Sequence, residues 1–141
     1  MTNNICNKTN IRLNLDTLEL KRITRPLNYE NGFEWTEDFD GIQIINNKKL
    51  YYNFKFICDK GGAQTRSLRE TYHFIKAQLE YLNTNKNSNI IFINILDGDE
   101  SYRRQKQFQY LIDKKKYLEI KSKIYYGDLY NFQNNHKNFI Y

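Results

Sequence analysis

The sequence predicts a single α/β domain, a mixed β-sheet flanked by helices. Three observations carry that expectation. A hairpin pattern rich in aromatics runs over 41–57, an amphipathic helix follows to about Leu82, and a near-continuous apolar run then occupies Ile90 to Leu96. Strand, strand, helix, strand in that order requires a crossover, and such crossovers between parallel strands are right-handed. The third strand is therefore expected beside the hairpin in one sheet. A chain of 141 residues suits one core better than two.

Residues 1–13 are polar, and about 1–12 are expected to be loose, with the core over about 25–133 of the single domain 1–141. Leu13, Leu15, Leu18 and Leu20 fit either a short helix or a strand. Pro26 and Asn31-Gly32 mark a loop leading to Phe33-Glu34-Trp35. Gly41 to Ile45 alternates in part, Asn46 to Lys49 reads as a turn, and Leu50 to Ile57 as the returning strand. In that strand Asn53 and Lys55 share one face, while Tyr52, Phe54 and Phe56 share the other.

Asp59-Lys60-Gly61-Gly62 breaks the strand. Ser67 with Glu70 three residues on has the pattern of a capping box. Leu68, Tyr72, Ile75, Leu79 and Leu82 then trace one helical face. After a polar loop from Asn83 to Asn89, the run Ile90 to Leu96 fits a strand covered on both faces, ended by Asp97-Gly98-Asp99. Ser101 to about Leu118 reads as a charged helix anchored by Tyr102, Phe108, Leu111 and Ile112. Lys123 to Tyr126 is a last short strand, and the tail from Asn131 to Tyr141 shows no clear period.

Composition narrows the functional classes. The net charge is +6 with a pI near 9.2, and a basic excess favours polyanionic partners. Lys and Asn abundance together with Ile and Tyr also fits an AT-rich genome, so charge alone is weak support. Cys6, Cys58, His73 and His136 are isolated, which argues against a zinc ribbon or a disulfide framework and fits a reducing compartment. The N-terminus lacks a basic start and an apolar stretch, and the longest apolar run is too short to span a bilayer. A cytoplasmic protein without membrane contact is expected.

The residues that carry chemistry lie on the hairpin. Metal-assisted phosphodiester hydrolysis needs oxygen ligands for a hard cation such as Mg2+ and a nearby cation to orient the nucleophile and stabilise developing charge. Asp40 precedes the first hairpin strand, and Asn53-Phe54-Lys55 lies within the second. A turn at 46–49 would set Asp40 roughly opposite Lys55. Gln64, Arg66 and Arg69 follow at the start of the helix, where backbone amides favour anions and Arg grips phosphate; they also match readers of base edges. Simpler readings stand beside these. Asp40-Gly41 fits a plain turn, Lys55 fits an edge-strand guard, and Arg103 to Lys106 and Lys114 to Lys116 fit a solvated helix face.

The stretch Trp35 to Gly41, then Tyr52-Asn53-Phe54-Lys55, then Gly61-Gly62-Ala63-Gln64-Thr65-Arg66 with Ser67 to Glu70, resembles the core of PD-(D/E)XK restriction endonucleases. Ile93 to Asp99 and Tyr126-Gly127-Asp128 resemble their later strands. The resemblance implies a restriction-endonuclease-like fold and a Mg2+-dependent type II restriction endonuclease. Such an enzyme cuts double-stranded DNA within a short recognition sequence, as a homodimer, and leaves a 5′-phosphate and a 3′-hydroxyl. Asp40 would match the first metal-binding acid and Lys55 the motif Lys, with Gln64, Arg66 and Arg69 on DNA. The motif acid is replaced by Asn53, whose carbonyl ligates Mg2+ without a charge. Either Asn53 serves with Asp40, or Glu37 or Glu34 joins the site, or catalysis is weak. Two other readings follow: a DNA-binding remnant of the fold, and a small α/β protein-interaction domain.

Overall fold

In the computed structural model of the chain, residues 9–23, 32–57 and 62–135 are described, without the side chains of 62–65. Cys6, Cys58 and His136, the loop around Pro26 and Asn31, the 59–61 break and the end of the tail lie outside the described residues.

One tight turn sets the register of the sheet. Asn46 and Asn47 both take left-handed backbone, φ 52° and 66°, as a two-residue hairpin turn demands and Asn tolerates. Strand β3 (Gly41–Ile45) therefore returns directly as β4 (Lys48–Phe56). Lys48 and Lys49 belong to the strand and not to the turn, so Gly41 pairs with Tyr52. A slip of two residues keeps each side chain on its expected face. It moves Asp40 from the level of Lys55 to that of Asn53.

From β4 the chain enters helix α1 (Gly62–Thr84) and returns as β5 (Ile90–Asp97), parallel to β4. It then passes through α2 (Asp99–Arg103), α3 (Gln105–Ile112) and a 3-10 helix (Lys115–Lys123), and comes back as β6 (Ile124–Gly127), parallel to β5. The mixed sheet thus has the order β3-β4-β5-β6. On one face Tyr51, Phe92 and Leu96 pack with Phe74, Ile75 and Leu79 of α1, with Leu111 of α3 and with Tyr117 of the 3-10 helix. On the other, Leu50, Tyr52, Ile91, Ile93 and Ile95 meet Phe132 of α4 (Leu129–Asn135). Covered on both faces, β5 is buried from Ile90 to Leu96.

Four elements depart from the sequence reading. Helix α1 begins at Gly62, so Ser67 is not a cap; its carbonyl accepts from Thr71 Oγ1 at 2.8 Å within the helix. The charged helix over 101–118 is broken at Arg104 (φ −100°, ψ 11°), where buried Glu100 forms an ion pair with Arg103, Nε 3.1 Å away, and accepts from Arg104 Nε at 3.4 Å. Within the 3-10 helix the buried residues are Tyr117 and Ile120, three apart, a spacing that such a helix places on one side. The tail contains α4, whose first turn is capped by the Asp128 carboxylate accepting from Asn131 N at 2.7 Å.

The fourth departure is at the N-terminus. Of 13–20 only the ends are strand: β1 (Ile11–Leu13) pairs antiparallel with β2 (Leu20–Arg22), and Leu15 and Leu18 lie in the connection between them. Ile11 and Leu13 are buried in the main core, so residues 11 and 12 are not loose and the core starts well before residue 25. Backbone bonds from Phe39 N to Ile11 O and from Thr36 N to Leu13 O, both 2.9 Å, fasten this ribbon to the segment before β3. Among the described residues no helix is long and apolar enough to cross a membrane.

Candidate active site

Asp40 owes its position to its neighbour. Phe39 is fully buried, stacked on Phe92 at 5.4 Å and tilted against Phe74 at 4.8 Å. With Phe39 anchored, Asp40 N donates to Tyr52 O at 2.8 Å and β3 begins. The Asp40 carboxylate is then fixed against β4, where Oδ2 accepts from Phe54 N at 2.6 Å. Although the residue as a whole is open to solvent, its carboxyl is desolvated, and this holds its pKa above the ordinary carboxylate value. The Phe54 amide and the Lys55 charge pull in the opposite direction, while Glu37 and Asp38 add to the rise.

Lys55 lies on the α1 face of β4 and forms an ion pair with Glu37. Pairing with β3 ends at Tyr52, so at Lys55 strand β4 is paired by β5 alone, opposite Leu96. Asp40, Glu37 and Lys55 thus form one charged group at the end of the hairpin where α1 begins. Asp38 is turned to Arg12, 3.9 Å away. Glu34 shows no link to this group; its carbonyl accepts from Leu15 N at 2.6 Å.

Asn53 is on the same face and one step deeper. It is buried, and its Nδ2 donates to Asn94 Oδ1 at 3.1 Å. Asn94 and Gln78 exchange amide bonds of 2.7 and 3.0 Å. Three neutral amides therefore bridge β4, β5 and α1 inside an otherwise apolar interface. Among the described residues the buried Asn53 Oδ1 has no hydrogen-bond partner, an open acceptor of the kind that costs stability unless something meets it.

The expected DNA-contact residues divide. Arg66 and Arg69 are exposed on α1 and form no ion pair among the described residues. Gln64 is in the first turn of α1, and its side chain lies outside the described residues. Helix α1 separates two clefts of about 430 Å³ each. One, on the hairpin side, is lined by Glu37, Glu70, His73, Trp35 and Phe33. The other runs between α1 and α3 and includes Arg69.

Sequence reasoning gave no part in the site to Asn94 or Gln78, read Glu70 only as a capping-box residue, and took His73 only as an isolated histidine. His73 is exposed, edge-on to Tyr72 at 5.9 Å, and borders the cleft that holds Glu37. Asn94 carried a signal: it is the one polar residue inside the run Ile90 to Leu96, and a fully buried strand keeps a polar side chain only with a partner. Asp97 and Asp99 stand at the end of β5 and the start of α2.

Among the described residues no group of three or more His, Cys, Asp or Glu converges as a ready metal cage. The donors present fit a lighter mode of binding. Mg2+ is commonly held by one or two carboxylates, with water and substrate phosphate completing the shell. Asp40 and Glu37 supply two neighbouring carboxylates of that kind, whereas the Asn53 amide is engaged by Asn94. No family model matches the chain, and neither the curated proteins nor the solved structures yield a match.

Proposed function

We propose that the chain is a Mg2+-dependent endodeoxyribonuclease core of the PD-(D/E)XK type, acting on double-stranded DNA as a cytoplasmic, homodimeric type II restriction enzyme. The observation that carries this reading is the hairpin, which brings Asp40 and Lys55 to one face beside the start of α1. Asp40, desolvated and crowded by Glu37, is the residue that would hold the metal. Glu37 and the orphan Asn53 oxygen are the next donors. Bound there, Mg2+ would lower the pKa of a water and offset charge on the phosphate. Lys55, released from Glu37 when a phosphate arrives, orients the attacking water and steadies the charge that builds on the phosphate oxygens. Arg66 and Arg69 hold the DNA backbone.

A second reading has its own support: a DNA-binding protein of the same fold that does not cut. Asn53 is tied to Asn94 rather than turned to Asp40, and Lys55 is occupied by Glu37. Cleavage of unmethylated genomic DNA with Mg2+, with Mn2+ and with chelator separates the two. The nuclease reading expects discrete fragments that need metal and a fall of about 100-fold or more in Lys55→Ala, as for loss of a charge-stabilising donor. Intact DNA in every lane with salt-sensitive binding retained would leave the binding protein. Absence of both would favour a protein-interaction domain.

A further inference from the structure

The groove between α1 and α3 is distinct from the hairpin-side cleft that Glu37 lines. Its described lining contains Arg69 from α1 and Arg104, Lys106 and Tyr110 from the α2–α3 side, over a floor of Leu68, Tyr72 and Phe108. No acidic residue is among those lining residues. Arg104 is offset by buried Glu100, whereas Arg69 and Lys106 form no ion pair among the described residues. Tyr110 is 69% exposed although Lys114 Nζ lies 5.4 Å from its ring centre. A large aromatic left open between cations is suited to an anion that also has a flat apolar face.

We infer that this groove binds an unpaired nucleotide of a nucleic-acid strand. Its base would stack on Tyr110 over the apolar floor, and its phosphates would meet Arg69 and Lys106. Stacking on an aromatic together with a basic track is the general mode of single-strand recognition, and about 430 Å³ lies within the range of small-ligand sites. Paired bases already use both faces within the duplex, so only an unpaired one has a face to offer Tyr110. The inference rests on the nucleic-acid part of the reading above and needs neither metal nor cleavage.

The test is fluorescence anisotropy of a labelled oligothymidylate of about 12 nucleotides, within single-strand site sizes. The full chain is titrated in chelator, over a range of salt, beside the same oligonucleotide annealed to its complement. The single strand is expected to bind more tightly than the duplex. Tyr110→Ala should weaken it about 10-fold and Tyr110→Phe should restore it, because stacking needs the ring and not the hydroxyl. Arg69→Ala with Lys106→Ala should reduce the salt slope by about 1.4, two phosphate contacts at about 0.7 each. Equal affinity for single strand and duplex, no loss in Tyr110→Ala, or competition by polyglutamate as effective as by oligothymidylate would overturn the proposal. Failure to cleave DNA in Mg2+ would leave it standing, so the two readings fail separately.

Discussion

Asp40 is a residue whose chemistry works against its own stability. Its carboxyl is held above the usual carboxylate pKa, by desolvation first and by Glu37 and Asp38 beside it. Between the unfolded and folded pKa values the native protein keeps a proton that the unfolded chain has released. Stability therefore falls as pH rises through that window, and the penalty persists above it. Asp40→Asn keeps an oxygen to accept from Phe54 N and removes the charge. The variant is expected to melt higher than the parent at neutral pH, with the gap closing as both are taken below the carboxylate range. It is also expected to lose any metal-dependent cleavage. A lower melting temperature for Asp40→Asn at neutral pH would show that the carboxylate is structural and that its pairing with the Phe54 amide outweighs desolvation. Of this group, the approach of Asp40 to β4 was legible because a hairpin obliges residues near its base to meet, although the register sets Asp40 level with Asn53 and not with Lys55. The engagement of Asn53 by Asn94 was not, because it depends on the parallel register of β4 with β5, which sequence spacing does not fix.

At the level of elements the hairpin turn decides what faces Asp40. Asn46 and Asn47 are both left-handed, and an L-residue other than Asn or Gly is strained there by about 1–2 kcal/mol. Asn47→Gly is expected to raise stability by roughly 0.5 kcal/mol, and Asn47→Ala to lower it by about 1 kcal/mol. The Asn47 carbonyl that accepts from Asn89 Nδ2 is backbone and is kept in both variants. Urea titration of the pair checks this, and Asn47→Ala as stable as the parent would mean that the turn is not of the two-residue kind. The same turn explains a misjudged boundary. A polar run, Asn46 to Lys49, reads as four turn residues because polarity is its only visible property. The backbone turns on just the two asparagines, a residue type that accepts positive φ, and lets both lysines into the strand. Long, strongly patterned elements were legible throughout: the stripe in α1 and the apolar run of β5 each declare their type. The segment after β5 was not, since its helix breaks where Glu100 draws in two arginines, a tertiary event with no local period.

For the molecule as a whole, the place of β5 beside the hairpin, with α1 crossing between β4 and β5, was implied by element order, while the addition of β6 to the sheet and the part played by the N-terminal ribbon were not. β1 and β2 form a separate two-stranded sheet, and isolated ribbons of that size are marginal in water. Their stability comes from what they touch. Ile11 and Leu13 are buried in the main core, and burial of such side chains is worth about 1.5–3 kcal/mol each. Thr9 Oγ1 donates to Phe39 O at 2.6 Å, and Phe39 N donates to Ile11 O at 2.9 Å. The ribbon thereby holds the residue that sets Asp40 in place. A domain of this size has a total stability of about 5–15 kcal/mol, so loss of the ribbon removes a large share of it. A fragment spanning 24–141 is accordingly expected to unfold at much lower urea than the full chain, or without a cooperative transition. It should also lose any metal-dependent cleavage even though Asp40, Asn53 and Lys55 are all present. Equal urea midpoints for fragment and full chain would separate the ribbon from the core and return the domain boundary to residue 25. The expected loss would instead make β1 and β2 part of the machinery that positions the site.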